Sequence, residues 1–162
     1  MTYQEYKKER QEECNKLPLK FAFSNEQFKQ AMAEWGFKED DYDKIYKFGQ
    51  GFYRREDSHI IKAYIENVEK ANKEHEKRMT DDKDYRIDAF LYEMNNHEYL
   101  INWQRDWDVC SCFVDFELPY LDDTEYEPYK SYLKLMNHEE WISEYELAIK
   151  KHKELANKND WY

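Results

Sequence analysis

Polar and apolar positions along this chain follow a helical period over most of its length, with short breaks between periods. Thr2 to Lys16 opens with Thr2 and Glu5 at the spacing of a capping box and sets Tyr3, Tyr6, Arg10 and Cys14 along one side. Pro18 ends that helix. Leu19-Lys20-Phe21-Ala22-Phe23 alternates large and smaller groups and predicts a strand. Ser24 to Gln27 repeats the capping pattern, Phe28, Met32 and Trp35 follow at i, i+4 and i+7, and Gly36 supplies a left-handed stop.

After an acidic loop from Glu39 to Asp43, Lys44–Phe48 and Phe52–Arg55 flank Gly49-Gln50-Gly51 and predict a β-hairpin. Ser58 is expected to cap a helix reaching Met79, with Ile61, Ile65 and Val68 as its apolar stripe. Beyond Val68 that helix is almost wholly polar, so its last turns are expected to stand in solvent. Thr80 to Asp84 breaks it, and a helix from Tyr85 to Asn96 buries Ile87, Phe90, Leu91 and Met94. Tyr99–Trp103 and Val109–Phe116 read as strands of a second hairpin. Pro119 to Glu127 is an acidic loop, and Pro128 opens a helix to Met136. Asn137, with Glu140 three residues on, predicts the N-cap of a last helix to about Asn157, with Trp141, Tyr145, Ala148, His152 and Leu155 on one face. One echo, Met94-Asn-Asn-His97-Glu98 against Met136-Asn-His138-Glu139, reads as a shared way of ending one element and starting the next. The sum is a helix-rich α+β fold with a small antiparallel sheet. It forms a single domain over residues 1–162: a scaffold at 1–103, an acidic aromatic insertion at 104–130 and a C-terminal helix at 131–162.

Composition sharpens this picture. Aromatic residues make up 18% of the chain, which points to a core of large rings. Only three Gly and three Pro leave little material for turns, consistent with helix. The net charge of −11 is unevenly placed: residues 1–81 sum to −1 and residues 82–162 to −10. That field disfavours direct binding to nucleic acid or an anionic membrane and favours a basic protein surface. The odd cysteine count (Cys14, Cys110, Cys112), the polar start and the lack of a long apolar run predict a cytoplasmic protein in a reducing compartment.

The charge is concentrated between Asp106 and Tyr129. Asp106, Asp108, Asp115, Glu117, Asp122, Asp123, Glu125 and Glu127 stand there without one Lys or Arg, interleaved with Trp107, Phe113, Phe116, Tyr120, Tyr126 and Tyr129. One reading is a solvated loop. The other is a surface imitating duplex phosphates, which recur every ~1.7 Å of duplex axis, with Trp107, Tyr120 and Tyr126 adding contact energy. Competing chemistry is sparse. Cys110-x-Cys112 with His97 or His138 lacks zinc-knuckle spacing, and Asp106-x-Asp108 with Glu117 matches a calcium loop at its ends only. His97-Glu98 and His138-Glu139 read as capping residues rather than acid–base pairs. No nucleophile elbow, phosphate loop or dinucleotide fingerprint is present, so neither a catalytic residue, a metal ligand nor a cofactor is assigned. Arg54 and Arg55, beside Tyr46, could grip a phosphate by bidentate contact, although Glu56 and Asp57 follow at once.

Phe21-Ala-Phe-Ser-Asn-Glu-Gln-Phe28, Asp43-Lys-Ile-Tyr46, the glycine turn before Phe52, Phe90-Leu-Tyr-Glu-Met94 and Asn96-His-Glu-Tyr99 together resemble an uncharacterised family. Its members are small proteins encoded by phages, prophages and mobile elements of gut-type bacteria. The resemblance covers roughly residues 2–100, departs in the glycine turn and is absent from Gln104 onward. It implies origin and carries no activity with it. Taken with the charge, it leads to an expected function as a non-enzymatic, anti-CRISPR-like inhibitor in the bacterial host cytoplasm. The expected partner is a basic nucleic-acid-binding protein, a CRISPR effector nuclease being favoured, held through the 106–127 carboxylates and aromatics. The alternative is a small-ligand or nucleotide-binding protein using Tyr46, Arg54 and Arg55.

Overall fold

The computed structural model describes residues 1–99, 106–113, 133–134 and 137–161, and the fold is helix-rich α+β with a two-stranded antiparallel sheet. Two compact units divide it: Glu9–Ala71 forms one, and Met1–Lys8 with Asn72–Tyr162 forms the other. Among the described residues no helix is long and apolar enough to cross a membrane.

Helix α1, Tyr3–Asn15, starts as its capping box requires: Thr2 N–H donates to Glu5 Oε2 at 2.7 Å and Glu5 N–H to Thr2 Oγ1 at 3.2 Å. The backbone bond holds the Glu5 carboxyl below its ordinary pKa. Helix α2, Asn25–Glu34, is capped by Ser24, whose hydroxyl accepts from Gln27 N–H at 3.2 Å. It ends at Gly36 (φ +72°), and Phe37 N–H reaches back to Met32 O at 2.9 Å, the wide turn of a Schellman cap.

Strands β1, Ile45–Phe48, and β2, Gly51–Arg54, pair Phe48 with Gly51, so the turn is the two residues Gly49-Gln50 and Gly51 belongs to the strand. Gly49 has φ +56°, the position at which a tight hairpin requires a positive φ. Gly51 is small because a Cβ there would meet Phe21 Cε1 at 3.0 Å and Lys20 O at 3.1 Å. The expected strand at Leu19–Phe23 reduces to one bridge: Lys20 and Phe52 exchange both backbone bonds at 2.9 Å. Pro18 on one side and the Ser24 cap on the other leave no room for more, and Phe21 and Phe23 stay exposed. Phe52, Ala31 and Met32 form this unit's buried core, with Phe28, Trp35, Phe37 and Ile45 against it.

Helix α3 spans Ser58–Asp81 after a 3-10 turn at Arg55–Asp57. Ser58 does not cap it by accepting; its hydroxyl donates to Arg55 O at 2.5 Å. Of the expected stripe Ile61 is buried, but Ile65 is exposed and Tyr64 takes its place. The distal turns are not solvated all round, because His75 and Met79 are buried. The polar spacing there hides two inward side chains at helical period from Ile61 and Val68.

Asp82 caps helix α4, Lys83–Asn96, accepting from Asp84 and Tyr85 N–H. Ile87, Phe90 and Met94 are buried on it as the sequence predicts. The last helix, Ile142–Lys158, presents Tyr145, Ala148, His152 and Ala156 to the same unit's interior. Asn137 does not cap that helix. It has φ +58° and closes the helical turn at Leu133–Lys134, His138 N–H donating to Leu133 O at 2.7 Å. Between α4 and the last helix Arg86 Nη2 pairs with Glu144 Oε1 at 3.1 Å, its Nη1 donates to Met79 O and Thr80 O, and its guanidinium lies 5.1 Å from the Trp141 ring centre. The expected strand at Val109–Phe116 is helical in its described part, an α-turn at Asp106–Val109 and a 3-10 turn at Cys110–Cys112. Burial of Val109, Cys110, Cys112 and Phe113 against Phe90 and Tyr145 overrides the β-like alternation. The rest of that strand, Leu100–Trp103 and most of the 128–136 helix lie outside the described residues.

Candidate functional site

The acidic segment is described only at its start. Val109, Cys110, Cys112 and Phe113 anchor it in the core, Asp108 is half-buried, and Asp106 and Trp107 are described in backbone alone. Asp115, Glu117, Tyr120, Asp122, Asp123, Glu125, Tyr126 and Glu127 lie outside the described residues. Burial, then the neighbouring Cys110 and Glu93, push the Cys112 thiol well up, so it sits as a protonated, packed group.

At the hairpin the structure brings together the aromatic and basic residues that the sequence singles out. Arg54 is already spoken for: Nε and Nη2 donate to the Asp57 carboxylate at 2.9 and 3.2 Å, and Nη1 lies 2.5 Å from Glu56. A guanidinium held by two carboxylates offers no free fork to a phosphate. Arg55 instead lies over Tyr46, its Cζ 4.5 Å from the ring centre. Tyr46 leads to a groove of about 660 Å³ between residues 22–25 and β1. Buried Phe52 and half-buried Phe28 and Ile45 line its base, and exposed Phe23, Tyr42 and Tyr46 its rim. Phe28 stacks on Tyr42 with ring centres 5.9 Å apart. Phe23 is 86% and Tyr42 65% exposed, an unusual cost in water for rings of this size. Local spacing does not announce the groove, because it joins residues 22–25 to residues 42–47, some twenty positions further along the chain.

A second cluster also escaped the sequence. Glu93 on α4 is fully buried; it accepts from Tyr3 Oη at 2.5 Å and lies 3.1 Å from Lys7 Nζ and 3.4 Å from His97 Nε2. Burial, then Cys112 and Glu93, hold the Tyr3 phenol far above its ordinary range, so it remains a donor. Nearby, His75 Nδ1 accepts from Tyr85 Oη at 2.9 Å while Nε2–H donates to Cys112 O at 2.6 Å, and its ring stacks on Tyr6. Burial lowers the His75 pKa against the pull of that carbonyl. The legible signal was a carboxylate lying between Phe90 and Met94 on an apolar helix face. These groups are sealed by packing, with Lys7 and His97 as the part-exposed members.

The two His-Glu pairs are not paired in space. His97 faces Glu93 rather than Glu98, and His138 stacks on Trp141 with ring centres 3.7 Å apart, its Nδ1 nearest Glu140. Among the described residues no group of three or more His, Cys, Asp or Glu side chains gathers as a metal site. Comparison with curated proteins gives no match, and comparison with solved structures gives none. Comparison with protein families matches residues 2–111, so the likeness runs past Gln104 and takes in the Asp106–Val109 turn and the buried Cys110, which the motifs alone placed beyond it. The match covers more than half of the chain, and the protein belongs to a family of unknown function (DUF7659).

Proposed function

We propose that this protein is a non-enzymatic inhibitor that occupies a basic nucleic-acid-binding groove of another protein with its 106–129 acidic aromatic segment. A phage or mobile-element gene is the proposed origin and a CRISPR effector nuclease of the host the proposed target. The observation that carries the reading is eight carboxylates in that segment without a single internal cation. The ion pairs of the described residues support it. Lys7, Lys20, Lys29, Lys44, Arg54, Lys62, Lys77 and Arg86 are engaged with carboxylates outside the segment. The segment is also tethered at its start, since Val109, Cys110 and Cys112 are buried, which limits the entropy lost on docking.

The mechanism is competitive: carboxylates take the Lys and Arg that otherwise hold DNA or RNA, and aromatic rings supply desolvated contact. Association is fast at low salt and weakens as the screening length shrinks from about 10 Å at 0.1 M towards 3 Å at 1 M. The test is DNA cleavage by purified effector nucleases with the protein added at equal concentration, followed by gel filtration with and without DNA. A stoichiometric complex that excludes DNA is expected. Substituting Asp122, Asp123, Glu125 and Glu127 together by Lys should abolish inhibition; inhibition that survives this charge reversal rules out mimicry.

A further inference from the structure

The hairpin leaves one edge open, and Phe52 fixes which backbone groups face it. Phe52 N–H and C=O both bond to Lys20 at 2.9 Å, on the side of β2 away from β1. Lys47 is the cross-strand partner of Phe52. In an antiparallel ladder, two residues paired this way both turn their backbone groups outward. The Lys47 N–H and C=O therefore point out of the free side of β1, together with the Ile45 C=O. Ile45 N–H turns back to Tyr42 O and closes that end. Among the described residues no strand pairs with this edge.

Beside the edge lies the aromatic groove, and Lys47 contributes to both. No residue lining the groove is acidic. Of the nearby cations, Lys44 is paired with Asp41 and Arg54 with Asp57 and Glu56, whereas Lys47 makes no ion pair among the described residues and Arg55 rests on Tyr46. A lysine on an edge strand ordinarily discourages indiscriminate pairing. Here the same charge selects for strands of opposite sign.

We propose that the β1 edge and the groove bind an extended acidic peptide of another protein by strand addition. The peptide backbone pairs with Lys47, an aromatic or aliphatic side chain of the peptide enters between Phe23, Phe28 and Tyr42, and its carboxylates meet Lys47 and Arg55. The site uses none of residues 106–129 and stands apart from the inhibitor reading.

The probe is a fluorescein-labelled synthetic peptide of about ten residues, alternating Glu with Phe or Tyr, beside a control in which each Glu is Lys. Fluorescence anisotropy with the full chain should show saturable binding of the acidic peptide, about tenfold or more tighter than the control. Hydrogen exchange of the Lys47 amide should slow when the peptide saturates the protein. Lys47→Pro removes the outward N–H at an edge position that tolerates proline and should abolish binding, while Lys47→Glu should reverse the peptide preference. Absence of saturable binding overturns the proposal. So does a folded Lys47→Pro variant that binds like the parent. Should that variant not fold, the parent's Lys47 amide decides, and an exchange rate unchanged by the peptide overturns strand addition.

Discussion

Replacing Tyr3 by Phe deletes one oxygen from the interior and leaves the ring in place. That oxygen donates at 2.5 Å to Glu93, whose side chain has no solvent exposure, so the carboxylate loses a donor that water does not replace. A hydrogen bond to a charged acceptor contributes about 1.5–3 kcal/mol. Lys7 Nζ remains 3.1 Å away and, although 38% exposed, still offsets part of the lost donor. The loss should therefore fall near the low end of that range, about 2 kcal/mol. At about 2–4 °C per kcal/mol for a chain of this length, the Tm drops by ~4–8 °C. Tyr6 supplies the control, its hydroxyl donating at 3.0 Å to the neutral, part-buried Asn72 side chain. Tyr6→Phe should cost about 1 kcal/mol. Urea unfolding followed by tryptophan fluorescence at pH 7 gives both values, and a cycle with Glu93→Gln isolates the coupling. If Tyr3→Phe costs under about 0.5 kcal/mol, or its cost is unchanged in the Glu93→Gln background, Tyr3 is held there by packing alone.

Two further outcomes follow from the same unit. His75 is buried and its pKa lies below the ordinary value, so near pH 6.5 the unfolded chain takes up a proton that the folded chain refuses. Stability is full above that pH and falls as pH drops through it, by up to about 1.4 kcal/mol per pH unit; His152, also lowered by burial, adds to the slope. Urea midpoints between pH 7.5 and 5 measure it, and a His75→Gln variant with the parent's slope would remove His75 as the cause. Arg86→Met leaves Glu144 buried without its cation and should cost about 3–5 kcal/mol by thermal unfolding. Adding Glu144→Leu should restore most of it, and a double variant no more stable than the single one refutes that account.

How much of this was legible depends on where the deciding interaction lies along the chain. The starts of α1 and α2 are set by residues three positions apart, Thr2 with Glu5 and Ser24 with Gln27, and local spacing found them. The hairpin was readable from Gly49 for the same reason. The strand reading of Leu19–Phe23 failed because the ladder there is limited by neighbours at Pro18 and Ser24 rather than by alternation. Val109–Phe113 alternates like a strand, yet its partners are Phe90 and Tyr145, far away in sequence. The buried Glu93 depends on Tyr3, ninety positions distant. Contacts of that separation leave no periodic trace, and the groove at Phe23 and Tyr46 was hidden likewise.

Among the described residues four helical segments stop by the same left-handed turn, at Gly36, Glu98, Asn137 and Asp160, with the amide after each reaching back five residues. Only the first is glycine. Glutamate rarely adopts that conformation, and an acidic side chain faces the electronegative end of the helix it terminates. Nothing local therefore obliges α4 to end at Asn96 or the last helix at Lys158. Their lengths are imposed by the assembled interior, so secondary structure and packing at these ends should form and melt together. Excised peptides covering the same residues would lack these stops.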